Sequence, residues 1–301
     1  MSTPIDGRAI AAAVNERTAL AAERLRADAA RPVAPTLALV VPTDDEGTAW
    51  YVRSIRRTGE RVGVDCRVDT MVSASGDEIA RRLAELSADP SVHGVVCQTP
   101  LPSGTILAEV AGSIVAAKDV DGANPTSLGM LAAGVGGAFA PATAAAVMEI
   151  LRATGVVVEG RQAVVVGRST VVGKPAALLL LAEHATVTVC HSRTSDLAAV
   201  CREADILVAA VGWPGLIGAS HVRSGAVVID VGTNPTPDGE LVGDVDAEAV
   251  GAVAGALTPV PGGVGPVTTA MLLQHTVRAA SGLREVGARV GGGVPSFNRF
   301  A

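Results

Sequence analysis

Residues 162–166 (Gln-Ala-Val-Val-Val) run straight into Gly167-Arg168-Ser169-Thr170-Val171-Val172-Gly173-Lys174-Pro175, and an apolar stretch over 176–181 follows. A valine-rich strand, a glycine turn and a helix, in that order, make a seat for a diphosphate. Gly167 lets the backbone turn and approach the anion, Gly173 lets the helix pack close to the sheet, and the unpaired N–H groups at the helix start face the ligand. Ser169 occupies the place of the second glycine in the usual G-x-G-x-x-G pattern, so the turn alone also reads as a tight strand–helix connection without a ligand. The end of the next strand, about twenty residues on, separates the two readings. It finishes in Cys190-His191-Ser192-Arg193-Thr194, with no carboxylate to meet the ribose 2′-hydroxyl of NAD. Ser192 and Arg193, together with Arg168 from the turn, are donors suited to a 2′-phosphate dianion. The pattern predicts a dinucleotide site, and NADP rather than NAD.

Composition narrows the alternatives. Cys66, Cys97, Cys190 and Cys201 are scattered, with no C-x-x-C pair and no histidine at ligand spacing, so no metal is expected and the thiols read as buried groups in a reducing cytoplasm. A formal net charge of -6 and a pI near 5.4 argue against general nucleic-acid or membrane-surface binding, both of which need a basic field. No apolar run approaches the roughly 20 residues that span a bilayer. The first eight residues are polar and include Asp6, unlike a secretory signal. The hydrophobic fraction is 49% but aromatics are only 2%, so Ala, Val and Leu must fill the interior, as they do in buried parallel strands.

The elements that would position these residues follow from periodicity. Residues 10–25 carry Ala, Val and Leu at helical spacing behind the turn Asp6-Gly7. Residues 36–41 read as a buried strand stopped by Pro42. Next come a helix over 48–62, basic on one side through Arg53, Arg56, Arg57 and Arg61, a strand over 65–71 and a helix over 76–88. A buried strand over 92–97 ends in Gln98-Thr99-Pro100-Leu101-Pro102, and the Gly-rich, charge-poor stretch 118–140 reads as a linker and site loop. Helix 141–154 leads into a second unit with strands at 162–166, 185–190, 206–210 and 226–231 and helices between the first three. A tight Pro/Gly loop at 258–265 and a helix over 267–280 close it. The alternation predicts an α/β chain with parallel sheets and right-handed crossovers. Residues 281–301 are Gly-rich and weakly patterned, and a mobile tail is expected there.

These strings resemble a known family, the bifunctional methylenetetrahydrofolate dehydrogenase/methenyltetrahydrofolate cyclohydrolases. The matching pieces begin with Asp6-Gly7, Tyr51-Val52, Gln98-Thr99-Pro100-Leu101-Pro102 and Lys118-Asp119-Val120-Asp121-Gly122. They continue with the glycine turn from Gly167, the strand ending Cys190-His191-Ser192-Arg193-Thr194, Asp230-Val231-Gly232, and Pro259-Val260-Pro261-Gly262-Gly263-Val264-Gly265-Pro266. They run in unbroken order over residues 5–280. The resemblance implies an N-terminal α/β domain over 1–140, to which helix 267–280 returns, a Rossmann-type NADP domain over 141–266, and a folate cleft between them. It implies oxidation of a methylene-bearing tetrahydrofolate with NADP, then hydration to 10-formyltetrahydrofolate, by a homodimer paired through the Rossmann domain.

The implied catalytic residues are Tyr51 beside the reacting carbon and pterin, Gln98 in the place of the glutamine that hydrogen-bonds the family's site lysine and the substrate, and Asp121 reading the amino-pyrimidine edge. A carboxylate pairs bidentately with such an edge, and an aromatic ring stacks on the fused rings. Pro261, Gly262 and Gly263 would let backbone approach the substrate. The implied cofactor contacts are Gly167, Arg168, Ser169, Gly173, His191, Ser192, Arg193 and Thr233.

One departure bears on activity. The family pattern places a lysine four residues after the tyrosine, one turn on along the same helix face, and this sequence has Ile55 there. In the family that lysine is the central group of the cyclohydrolase step. Arg56 is the nearest substitute in sequence, but it lies about 100° round the helix. The family's Gly-Phe-His-Pro, Gly-Arg and Pro-Cys-Thr-Pro are here Gly122-Ala123-Asn124-Pro125, Gly129-Met130 and Pro141-Ala142-Thr143-Ala144. The cofactor strings are nearly intact, so the changes cluster on the substrate side. Hydride transfer needs alignment, while methenyl hydrolysis needs an activated water and proton transfers. The expectation is a dehydrogenase with weakened or absent cyclohydrolase. A fully bifunctional enzyme helped by Arg56 or a water, and a catalytically silent folate or NADP binder, are the alternatives.

Overall fold

The computed structural model describes residues 2–29 and 32–282; the tail expected from residue 281 lies outside them except for Ser281 and Gly282. The chain opens with a short strand β1 (Thr3–Pro4) and helix α1 (Gly7–Ala27). Asp6 caps α1 by accepting the Arg8 and Ala9 N–H groups at 2.9 and 3.1 Å. Strands β2 (Thr36–Val41), β3 (Asp65–Thr70) and β4 (Gly94–Cys97), with helices α2 (Glu46–Val62) and α3 (Gly76–Ala88) between them, form a parallel sheet in the order β3-β2-β4. Every residue of the middle strand β2 is buried, which is why its sequence runs apolar without alternation. Helix α2 starts where the Asp45 carboxylate accepts the Thr48 N–H (2.7 Å) and ends at Gly63, whose φ of +78° suits a glycine C-cap.

After helix α4 (Leu107–Ala111), the expected site loop at 118–140 contains a helix of its own, α5 (Pro125–Ala132). Asn124 caps it, accepting the Thr126 N–H at 2.7 Å, and Pro125 stands in its first turn. Ser127 is its buried residue, so the helix has no apolar stripe for a periodicity reading to find.

Helix α6 (Ala142–Ala153) leads to the second sheet. Its long crossover units are β5 (Gln162–Val166), α7 (Gly173–Ala182), β6 (Thr186–Cys190), α8 (Leu197–Arg202), β7 (Ile206–Ala209) and β8 (Val227–Asp230). A hairpin of β9 (Asn234–Pro235) and β10 (Leu241–Val242), helix α9 (Ala247–Gly251), strand β11 (Ala256–Leu257) and helix α10 (Val264–Ala280) complete the described chain. The sheet order is β1-β11-β8-β7-β5-β6, with every pairing parallel. Both β1 and β11 were absent from the expected strands, being two residues long and carrying no periodic signal. Residues 3–4, which the sequence groups with the N-terminal unit, pair with Ala256 and Leu257 at the edge of this larger sheet, an edge position that tolerates Pro4.

Two of the apolar cores share α10. Val264, Val267, Ala270 and Met271 pack with Ile5, Val14, Val147, Ile150 and Val165. Leu272, Leu273 and Val277 pack with Leu37, Leu39, Ile55 and Val96. One helix thereby ties both sheets together. Among the described residues no helix is long and apolar enough to cross a membrane.

Candidate active site

The expected site residues follow the C-terminal ends of parallel strands, where open α/β sheets place their ligands. Gln98 follows β4, Gly167 follows β5, His191 follows β6, Thr233 follows β8, and Pro261 follows β11. Two depressions of about 400 and 500 Å³ lie elsewhere, the first beside the N-terminal ends of β7 and β8 and the second beside β1 and α1. The charged pair in the first, Arg223 and Asp205, is already joined at 2.7 Å, so the strand-end loops remain the better seat for chemistry.

On the substrate side, the structure brings Tyr51 and Asp121 together. Tyr51 is half-buried on α2, beside the side chain of Thr269 on α10. Burial first, and then the Asp121 carboxylate, hold the phenol well above its usual range. Asp121 is itself half-buried, and desolvation, reinforced by Asp119, raises its carboxyl to about 7 against the opposing pull of the Ala142 N–H. Its loop is shaped by Asp119, which has no exposed surface and accepts from Ala123 N (3.0 Å), Asn124 N (2.9 Å) and Ser127 Oγ (2.6 Å). In the sequence Asp119 stands out only as a member of the string Lys118-Asp119-Val120-Asp121-Gly122. Its role depends on folding the following N–H groups around it, a pattern that the short motif does not announce.

Gln98 is buried, its backbone N–H donating to the Val40 carbonyl at 2.8 Å, and the next carbonyl, of Thr99, accepts the Thr48 hydroxyl at 2.8 Å. These bonds anchor the loop after β4 to the first turn of α2. Ile55, one turn along from Tyr51, has no exposed surface and packs among Leu37, Leu39, Val52 and Val96. Arg56 is exposed, about 100° round α2 from Ile55, and acts electrostatically on Cys66 of β3.

The loop Pro261-Gly262-Gly263 is held by close backbone contact. A Cβ at Gly7 would collide with the Gly263 carbonyl oxygen, and Gly262 adopts φ +108° beneath the Arg8 guanidinium. From Gly263 to Thr269, α10 rises about 9 Å, so this loop and the Tyr51 hydroxyl stand within one small region.

The glycine turn passes a test for a dinucleotide on its own backbone. Gly167 has φ +128° and a Cβ there would strike the Ala210 carbonyl; a Cβ at Gly173 would strike the Gly167 carbonyl. The turn is therefore tightly packed, and the N–H groups at the start of α7, expected to be unpaired, are engaged within it: the Lys174 N–H donates to the Ser169 carbonyl at 3.0 Å, and Pro175 carries none. Ser169 fits this geometry without a second glycine, because its hydroxyl accepts the Val172 and Gly173 N–H groups at 3.2 and 3.3 Å. Arg168, Ser192, Arg193 and Thr233 are exposed and His191 is half-buried. The loop carrying Ser192 and Arg193 is closed by His191, whose Nδ1 accepts the Arg193 N–H (3.2 Å) and whose N–H donates to Thr194 Oγ1 (2.9 Å).

Two further carboxylates went unassigned from sequence. Asp230 accepts from Gly232 N (2.9 Å), Asp244 N (3.0 Å) and Val245 N (3.0 Å), and desolvation raises it to about 6. Asp244, wholly buried, accepts from Val211, Gly212 and Trp213 N–H groups and from Asn234 Nδ2. They cross-link the loops after β7 and β8, a long-range role with no local signature.

Comparison with known proteins agrees with this arrangement. The family model described as the catalytic domain of tetrahydrofolate dehydrogenase/cyclohydrolase matches residues 5–121, and that of its NAD(P)-binding domain matches residues 141–284. The bifunctional protein FolD of Parafrankia sp. is 60% identical over 278 residues, covering 92% of this chain and 99% of its own. Bifunctional protein FolD 1 of Rhodococcus jostii is 57% identical over 281 residues, covering 93% of each. Among solved structures, the Campylobacter jejuni FolD methylenetetrahydrofolate dehydrogenase/cyclohydrolase is 37% identical with a TM-score of 0.89, over 94% of this chain and 99% of that one. The Trypanosoma brucei enzyme, solved with NADP cofactor and an inhibitor, is 36% identical with a TM-score of 0.88, over 93% and 97%. The resemblance and the two-domain α/β fold expected from the strings are thus both found, and the chain belongs to the tetrahydrofolate dehydrogenase/cyclohydrolase family.

Proposed function

We propose that this family member is an NADP-dependent 5,10-methylenetetrahydrofolate dehydrogenase whose cyclohydrolase step is weakened or lost. The observation that carries the reading is Ile55, fully enclosed by apolar neighbours one turn from Tyr51. An alkyl group in that place can neither relay a proton nor activate a water.

The dehydrogenase step asks mainly for alignment. Asp121, once ionised, accepts from the pterin's 2-amino and ring N–H groups and sets the ring's register. Tyr51, beside Thr269, offers its ring to the pterin face, and Gln98 lends an amide to the substrate from the loop after β4. Pro261, Gly262 and Gly263 let main chain close over the ligand. Gly167, Arg168, Ser169, Gly173, His191, Ser192, Arg193 and Thr233 hold the dinucleotide, with the guanidinium groups directed at the 2′-phosphate. NADP, when bound, supplies the acceptor for the hydride lost by the methylene carbon. The folate side corresponds to residues 1–140 with 267–280 and the NADP side to 141–266, apart from the strand crossing of residues 3–4. The protein pairs as a homodimer through the second unit, a reading supported by Leu181 and Val189, which stay 59% and 40% exposed beside the free edge of β6.

A second reading, full bifunctionality, draws support from the names of relatives up to 60% identical. Arg56 is poorly placed to provide it, since it is exposed and lies about 100° round α2 from Ile55. The test is a paired assay on purified protein. NADP reduction with methylenetetrahydrofolate should be robust, with NAD a poor substitute, while methenyltetrahydrofolate should disappear little faster than in buffer. Rapid methenyl hydrolysis would overturn the cyclohydrolase half of the proposal, and absence of cofactor reduction would point to a silent binder.

A further inference from the structure

We infer that Trp213 is the platform on which the adenine ring of the nucleotide stacks, an inference that rests on the NADP reading above. The chain leaves β5 towards β6 on one side and returns to β7 on the other, so the crevice at the reversal of strand order opens over the ends of β5 and β7. Gly167 and the Ala210 carbonyl touch at its floor. Three residues beyond Ala210, the indole of Trp213 is 67% exposed, yet the main chain carrying it is held from below. The N–H groups of Val211, Gly212 and Trp213 all donate to the buried Asp244 carboxylate, at 2.6, 3.0 and 2.9 Å. Gly212 (φ +67°) and Gly215 (φ +61°) turn the chain on either side.

A scattered exposed apolar side chain needs no explanation. An indole whose main chain is held by three bonds to one buried carboxylate beside a nucleotide crevice is different, because its loop is presented without the ordering cost a mobile loop would incur on binding. The position selects the adenine end. With the diphosphate at the start of α7, the nicotinamide must extend towards the Pro261–Gly263 loop and Tyr51. The adenosine then lies between the loop after β6, where Ser192 and Arg193 await the 2′-phosphate, and the loop after β7. Those loops are two strand spacings apart, about 10 Å, a gap suited to a purine ribonucleoside. A π-face platform is tolerant of base orientation and adds affinity without touching the reacting atoms.

The experiment uses adenosine 2′,5′-bisphosphate, which carries adenine and the 2′-phosphate but no nicotinamide. Trp50 and Trp213 are the two tryptophans of the sequence, so a Trp50→Phe background leaves one emitter. Titration should quench that emission saturably, with calorimetry on the same samples giving a matching Kd. Trp213→Ala should weaken binding about 10-fold, and Trp213→Phe should recover part of the loss, which separates stacking from a damaged loop. Binding of equal strength in all three proteins, or saturation without any change in Trp213 emission, overturns the inference while leaving the NADP site intact. No calorimetric binding of either the bisphosphate or NADP to the unsubstituted protein would overturn the NADP reading and this inference with it.

Discussion

At Asp121, burial and the neighbouring Asp119 raise the carboxyl to about 7, so the unliganded protein passes from acid to carboxylate across neutral pH. Only the carboxylate accepts two N–H groups from a pterin edge. The kcat/KM for the folate substrate should therefore rise from about pH 6 to 8 with an apparent pKa near 7, and Asp121→Asn should lower it at least about 100-fold with NADP binding unchanged; a flat pH profile would contradict the assignment. Ile55 makes the complementary case. Ile55→Lys should raise methenyl hydrolysis by about 10-fold or more and leave NADP reduction within a few-fold. The new ammonium displaces a fully buried alkyl group, so thermal unfolding should also report a loss of about 2 kcal/mol. Ile55→Met, which keeps the volume, should change neither rate, and an unchanged hydrolysis rate in Ile55→Lys would argue for the second, bifunctional reading. Tyr51, Gln98 and Asp121 could be proposed from the sequence because each sits in a string that carries the family resemblance. Asp119, Asp244, Thr269 and Trp213 were not, since a carboxylate ringed by N–H groups, or an indole placed by one, is a product of three-dimensional closure.

Among the elements, the long ones were readable and the short ones were not. Strands 36–41 and 162–166 and helix 76–88 fall where the periodicity put them, because each buries a continuous apolar face. β1, β11, the β9–β10 hairpin and α5 escaped, being too short or too weakly apolar to show a period. Two glycines carry a sharper consequence, because the proposed function has them serve different ligands. Gly7→Ala puts a Cβ against the Gly263 carbonyl and must displace the Pro261–Gly263 loop, so KM for the folate should rise about 10-fold or more while NADP affinity stays put. Gly167→Ala puts one against the Ala210 carbonyl at φ +128° and should abolish NADP binding while the folate substrate still binds. Calorimetric titration of each variant with both ligands reads the two effects, and a swap or merging of them would refute the division of labour between the loops.

On the scale of the whole molecule, α10 belongs to both cores and its first turns carry Thr269 to Tyr51, so the geometry of the site and the stability of the fold are one problem. The buried carboxylates make that coupling measurable. Asp121 and Asp230 have folded values of about 7 and about 6, both raised above the ordinary carboxylate range near 3.9. A raised acid binds its proton more tightly in the folded state, so its contribution is fully present below about pH 4 and disappears as the pH climbs through the folded value. Asp45, Glu78 and Asp89 are lowered by hydrogen bonds from Thr48, Ser75 and Ser91. They act the opposite way, stabilising above the ordinary range and failing in stronger acid. The sum predicts a Tm that peaks at about pH 5 and declines towards pH 8, unlike a protein held mainly by surface ion pairs. Asp121→Asn should flatten the upper part of that decline, between about pH 6 and 8, without moving the acid limb, because its amide no longer titrates and only the Ala142 N–H must be re-satisfied. Calorimetric scans of both proteins across that range, without ligand, decide it: a Tm that rises from pH 5 to 8, or an unaltered slope in Asp121→Asn, would mean that Asp121 is ionised in the folded protein and that its proton plays no part in holding the site together.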